Sequence, residues 1–163
     1  MTILKYSLFT LALAALALLS AGTLGAQPEI APQEESGSGN PEIHDQLTLQ
    51  EIMTIMKAQK YEVELFADKE VVAWIIADEV CLVSTDKPNS LNFYTYVSGG
   101  KFTLEDANKW NRDYKYSKTY LDDENDVALE LDLNLAGGVA EERIISFLKT
   151  CEISYRQFLK VAK

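Results

Sequence analysis

The chain has 163 residues, 47% of them hydrophobic, and carries 25 acidic against 15 basic side chains for a formal net charge of −10. That length holds one domain with appendages, since single domains cluster at about 100 to 150 residues. So acidic a surface repels phosphate backbones, which bind through clustered Lys and Arg, and this argues against nucleic acid and anionic membrane surfaces as partners.

Residues 1–26 predict an export signal. Lys5 supplies a positive n-region, Tyr6 to Leu19 an apolar run, and Ser20 to Ala26 small residues for a peptidase. The alternative is an uncleaved membrane anchor, because extending the run to Leu24 approaches spanning length. The expected location is therefore exported, periplasmic or secreted, or anchored through that segment. Its removal takes away Lys5 and no acid, moving the net charge from −10 to −11. Gln27 to Gln46, QPEIAPQEESGSGNPEIHDQ, is rich in Pro, Gly, Ser and acids and has no aromatic residue. It cannot bury enough apolar surface to fold, and it predicts a disordered acidic tether.

An ordered domain is expected over 47–163. Thr48-Leu49-Gln50-Glu51 is a capping-box pattern, and Leu49, Ile52, Met53 and Met56 follow on one face, predicting a helix over about 48–60. Tyr61, Val63 and Leu65 alternate with Glu62 and Glu64, as in a strand with one wet face. After a turn at Ala67 to Glu70, the β-branched run VVAWIIA suits a central strand. Glu79 to Val83 and Leu91 to Val97 predict two more strands, parted by a turn at Asp86-Lys87-Pro88-Asn89. Short connections make the meander antiparallel. Gly99-Gly100 ends it, and Thr103 to Asp106 starts a second helix with Leu104, Ala107, Trp110 and Tyr114 on one face. Tyr116 to Asp122 and Val127 to Leu135 predict a hairpin around Glu124-Asn125-Asp126. Its second arm alternates strictly, with Val127, Leu129, Leu131, Leu133 and Leu135 one way and Glu130, Asp132 and Asn134 the other. Gly137-Gly138 breaks that arm. A final helix over about 140–161 carries Ile144, Leu148, Cys151, Tyr155, Phe158 and Ala162 in a seam. The order α-β-β-β(β)-α-β-β-α predicts an α+β fold, a largely antiparallel sheet of about five or six strands with helices packed on it.

Few residues are suited to catalysis. The one histidine, His44, falls in the expected tether, so nucleophilic mechanisms that need an imidazole inside the fold find none, and no catalytic residue is assigned. Two distant cysteines and one histidine contain no close-spaced zinc pair, so neither a metal nor a cofactor is expected. In an exported protein, Cys81 and Cys151 have two readings: a disulfide closing a loop of about 70 residues, worth about 4 kcal/mol, or two buried free thiols. Asp122, Glu124 and Asp126 are spaced like the first ligands of a calcium loop. However, Val127 and Leu133 stand where an EF-hand needs Gly and a bidentate Glu, so a solvated hairpin tip is expected. Arg112, Lys115 and Lys118 form a local cationic strip and are the candidate partner-binding residues, set against a plain solvated surface. Trp110 is expected as a core anchor. Asn111 beside it is expected to hydrogen-bond the helix to the hairpin, because a buried amide needs a partner.

The run Trp110-Asn111-Arg112, then Tyr120-Leu121-Asp122-Asp123-Glu124, then Leu129-Glu130-Leu131-Asp132-Leu133, resembles the signature of the YbjN-domain family, described as candidate bacterial sensory transduction regulators. Gly137-Gly138-Val139 and the opening from Thr48 to Leu65 fit the same pattern, so the resemblance covers about residues 47 to 163. Asn125 stands where the family often has Gly, a departure that left-handed turn geometry tolerates. The resemblance implies a fold similar to class I type III secretion chaperones, which are α+β modules that commonly dimerise and bind extended segments. It thereby implies structural roles for Trp110, Asn111, Tyr120, Asp122, Gly137 and Gly138. The expected function is a non-enzymatic, exported protein-binding module, monomeric or homodimeric, with a protein or peptide partner. The alternative is a small envelope hydrolase, or an inhibitor of an envelope enzyme, working through surface carboxylates.

Overall fold

The computed structural model describes residues 42–85, 89–99 and 101–162. The expected export signal, most of the tether and the turn residues 86–88 lie outside them. The described residues belong to one compact unit, 39–163.

The first helix, α1 (Leu49–Ala58), begins where the sequence predicts it. The Thr48 hydroxyl accepts the Glu51 amide, and the Glu51 carboxylate accepts from the Thr48 amide and hydroxyl, 2.7 Å each. Strands β2 (Val63–Phe66), β3 (Val71–Ile76), β4 (Glu79–Ser84) and β5 (Ser90–Val97) follow as an antiparallel meander. Its tight turns place Glu70, Ala77 and Asp78 at positive φ. The second helix, α2 (Leu104–Asp113), has its own capping box between Thr103 and Asp106. Strand β6 (Lys118–Leu121) and strand β7 (Val127–Asn134) form the predicted hairpin, and α3 (Glu141–Ala162) closes the chain.

The six long strands make one antiparallel sheet in the order β2-β3-β4-β5-β7-β6. The second hairpin arm therefore inserts beside β5, pairing along its whole length from Ser90↔Asn134 to Val97↔Val127. Its partner β6 becomes the sheet edge. The alternation in β7 directs Leu129, Leu131 and Leu133 to the same side as Val72, Trp74, Cys81, Val83 and Phe93. On that side they meet Ile52, Ile55 and Met56 of α1, Trp110 of α2, and Ile144, Leu148, Cys151, Tyr155 and Phe158 of α3. All three helices therefore pack on one face of the sheet.

The structure corrects the tether boundary. Ile43–His44, read as tether, form a short strand β1 that pairs antiparallel with β8 (Val139–Ala140), Ile43 opposite Ala140 and His44 opposite Val139. The Glu141 amide also donates to the Glu42 carbonyl at 3.0 Å. Gly137 and Gly138, at φ +87° and +85°, are the cause. They turn the chain after β7 so that Val139 and Ala140 lie alongside β1. A Cβ on Gly138 would sit 2.7 Å from Ile43 Cγ2, so the missing side chain is what admits β1.

Candidate functional site

Trp110 and Asn111 lie on α2, which packs along β6 at the edge of the sheet. Trp110 is 2% exposed, stacks on Tyr114 at 3.9 Å between ring centroids, and meets Phe158 edge-on at 5.8 Å. Its indole N–H donates to Ser117 Oγ at 3.0 Å. This is the anchor expected from the helical spacing. Asn111 points at the neighbouring strand. Its Nδ2 donates to the Thr119 carbonyl at 3.0 Å, and its Oδ1 accepts the Thr119 amide at 2.9 Å. Those two bonds reproduce what one residue of a seventh strand would supply, so the side chain closes the outer edge of β6 and pins α2 to it.

The acid-rich hairpin tip is built from its own side chains. Asp122 Oδ1 accepts the amides of Glu124 and Asp126, 3.0 Å each, and Asp126 Oδ2 accepts from the Ser98 hydroxyl at 2.9 Å. Asn125 takes the left-handed conformation, φ +60°. The carboxylates of Asp122, Glu124 and Asp126 lie within 4.8 Å of one another, but Asp122 already accepts turn amides and Asp126 the Ser98 hydroxyl.

The cationic strip divides into separate contacts. Arg112, at the end of α2, donates from Nε to Asp113 Oδ1 at 3.0 Å, and Lys115 is exposed in the bend that follows. Lys118 sits on β6, pairs with Glu130 across the strand, and lies over the Tyr120 ring at 5.7 Å. The Tyr120 hydroxyl donates to the other oxygen of Glu130. Burial, followed by that carboxylate, pushes the Tyr120 phenol well up.

Lys118 and Glu130 open onto the face of the sheet away from the helices. There the register aligns Glu64, Ala73, Leu82, Tyr94, Glu130 and Lys118 in one row across all six strands. A second row runs Tyr96, Ala128, Tyr120. The Tyr94 and Tyr96 rings lie 6.3 Å apart, and Ala128 is fully buried between Tyr96 and Tyr120. Sequence alternation reveals that β7 has an outward face. The aromatic rows appear only once β4, β5, β7 and β6 are placed side by side.

Cys81 and Cys151 are both free and buried. Burial pushes the Cys81 thiol up to about 12 and the Cys151 thiol well above its ordinary value, so neither supplies a thiolate near neutral pH. His44, assigned by sequence to the tether, is instead packed against the start of α3, and its side chain is 10% exposed. Its Nε2 lies 3.8 Å from Glu141 Oε2 and 3.9 Å from Glu42 Oε1. Glu141 is remote in the chain, and no local spacing announces this grouping. Among the described residues, no helix is long and apolar enough to cross a membrane.

A family model matches residues 48–162: YbjN, with the description "Putative bacterial sensory transduction regulator". No curated protein and no solved structure matches the chain.

Proposed function

The chain belongs to the YbjN family, and from that premise we propose that it is an exported, non-enzymatic regulator that works by binding a protein partner. The observation that carries this reading is the one-sided packing of the fold. All three helices contribute to a single core on one face, while the opposite face presents Tyr94, Tyr96 and Tyr120 in rows with Leu82, Lys118 and Glu130. Tyrosines backed by small residues offer large contact area at little side-chain entropy cost, and they are enriched where proteins dock. Arg112, on α2 beside β6, and Lys115, in the bend between them, are exposed. The apolar leader at residues 1–26 supports the exported location.

A photo-crosslinking residue in place of Tyr96, in cells producing the full chain, tests the assignment, with Lys149 on α3 as the control position. A discrete protein adduct from position 96 that is absent from position 149 is the expected result. Solution mass then distinguishes a second copy of the chain from a different protein. Identical adduct patterns at both positions, or turnover of a model glycoside or peptide by the purified chain, would overturn it.

A further inference from the structure

We propose that Glu42, His44 and Glu141 form a binding site for one divalent transition-metal ion, with Zn2+ the best-fitting species. This goes beyond the partner-binding reading and involves different residues. Three observations converge on it. The His44 Nε2 atom is fully buried and has no hydrogen-bond partner, although a buried imidazole nitrogen ordinarily has one. The two carboxylates facing it stand at 3.8 and 3.9 Å, too far to accept a hydrogen bond. One ligand atom from each of the three residues lies within 4.8 Å of the others.

That spacing suits an intervening ion. Zinc bonds of about 2.0 to 2.2 Å place tetrahedral ligand atoms about 3.3 to 3.6 Å apart, so the two imidazole–carboxylate gaps close with shifts of a few tenths of an ångström, and the carboxylates, within 4.8 Å of each other, with about 1.5 Å at most. Glu42 can supply them, since its side chain is 72% exposed. One neutral imidazole and two carboxylates balance a divalent charge, and the nitrogen ligand favours zinc-like ions over calcium or magnesium. Gln50, Glu51 and Thr54 line the same recess. Glu51 Oε2 is already held by the amide and hydroxyl of Thr48, so the fourth coordination position falls to water or to Glu51 Oε1. The hairpin acids Asp122, Glu124 and Asp126 offer no comparable nitrogen, and Asp122 Oδ1 already accepts two turn amides.

The ion would tie β1 to the start of α3. Without it, β1 is held by a two-residue ladder and the Glu141-to-Glu42 backbone bond, a pairing that is marginal for strands so short. Metal binding would therefore fix where the chain enters the domain.

The test uses the full chain, stripped with chelator and titrated with Zn2+ by calorimetry and with Co2+ by visible absorption. The expected result is one equivalent per chain, with Co2+ bands of nitrogen–oxygen ligation. Zn2+ should also slow hydrogen exchange at the Glu141 amide. His44→Ala should weaken binding on the order of 100-fold or more, since even groups behind a metal ligand are worth about 10- to 100-fold. Glu141→Gln should weaken it at least about tenfold and decides the matter if His44→Ala does not fold. Asp122→Asn should leave the affinity unchanged. Absence of saturable binding overturns the site. So does wild-type affinity in both ligand variants, which would put the ion elsewhere.

Discussion

Replacing Asn111 with alanine tests the claim that one side chain closes the edge of the sheet. The substitution removes two hydrogen bonds, to the amide and carbonyl of Thr119 at 2.9 and 3.0 Å. A typical intramolecular hydrogen bond contributes about 0.5 to 1.5 kcal/mol net. The Thr119 backbone lies at a sheet edge where water can partly replace the lost partner, so about 2 kcal/mol is expected for the pair. With about 2.1 cal/mol/K of unfolding entropy per residue over roughly 120 ordered residues, that loss lowers Tm by about 8 °C. Thermal melting followed by far-UV circular dichroism reads it directly. Asn111→Asp sharpens the test. The carboxylate keeps an acceptor for the Thr119 amide but faces the Thr119 carbonyl with a second acceptor. At neutral pH this variant should be no more stable than Asn111→Ala. Folding should raise the pKa of the introduced carboxyl, because its protonated form can donate to that carbonyl. Its stability relative to Asn111→Ala should therefore rise as pH falls through that pKa. A Tm within about 2 °C of the parent for Asn111→Ala would falsify the edge-closing role, as would an aspartate variant clearly more stable than the alanine one at neutral pH.

Two further outcomes are expected. Gly138→Ala puts a methyl 2.7 Å from Ile43 Cγ2 at φ +85°, so it should cost about 1 to 3 kcal/mol and speed hydrogen exchange at the Glu141 amide ahead of the core. Unchanged exchange there would refute the role assigned to the missing side chain. Cys81, pushed up to about 12 by burial from an ordinary 9.0, holds its proton more tightly folded than unfolded. Stability should accordingly be level below about 9 and fall as pH rises from there toward about 12, and iodoacetamide at pH 8 should label both buried cysteines only on unfolding. Fast labelling of the native protein would contradict this burial.

Sequence reasoning succeeds where the determinant is local. The Thr48–Glu51 capping box spans a single helical turn, and the Val127-to-Leu135 alternation is a period-2 pattern with one buried face, so each specifies its element without reference to anything distant. The partnership of Asn111 with the hairpin was legible because Thr119 is close in sequence, although Asn111 is itself exposed and its bonds complete the backbone of Thr119, not a buried amide. His44 shows the opposite case. Its flanking residues are acidic, proline-bearing and free of aromatics, so composition assigns it to a tether, and its actual neighbour Glu141 belongs to the far end of the domain.

By itself, then, the chain's order of residues determined that this is an α+β protein with capped helices, a strand meander and an alternating hairpin, because propensity, capping and periodicity act over a few residues. Tertiary structure alone decided that β7 enters beside β5 and makes β6 an edge. It also decided that three tyrosines share one open face, and that a histidine from the domain's entrance meets a glutamate from its last helix. These are contacts between segments whose spacing along the chain carries no pattern, and they exist only once the buried face of the sheet has drawn the helices over it.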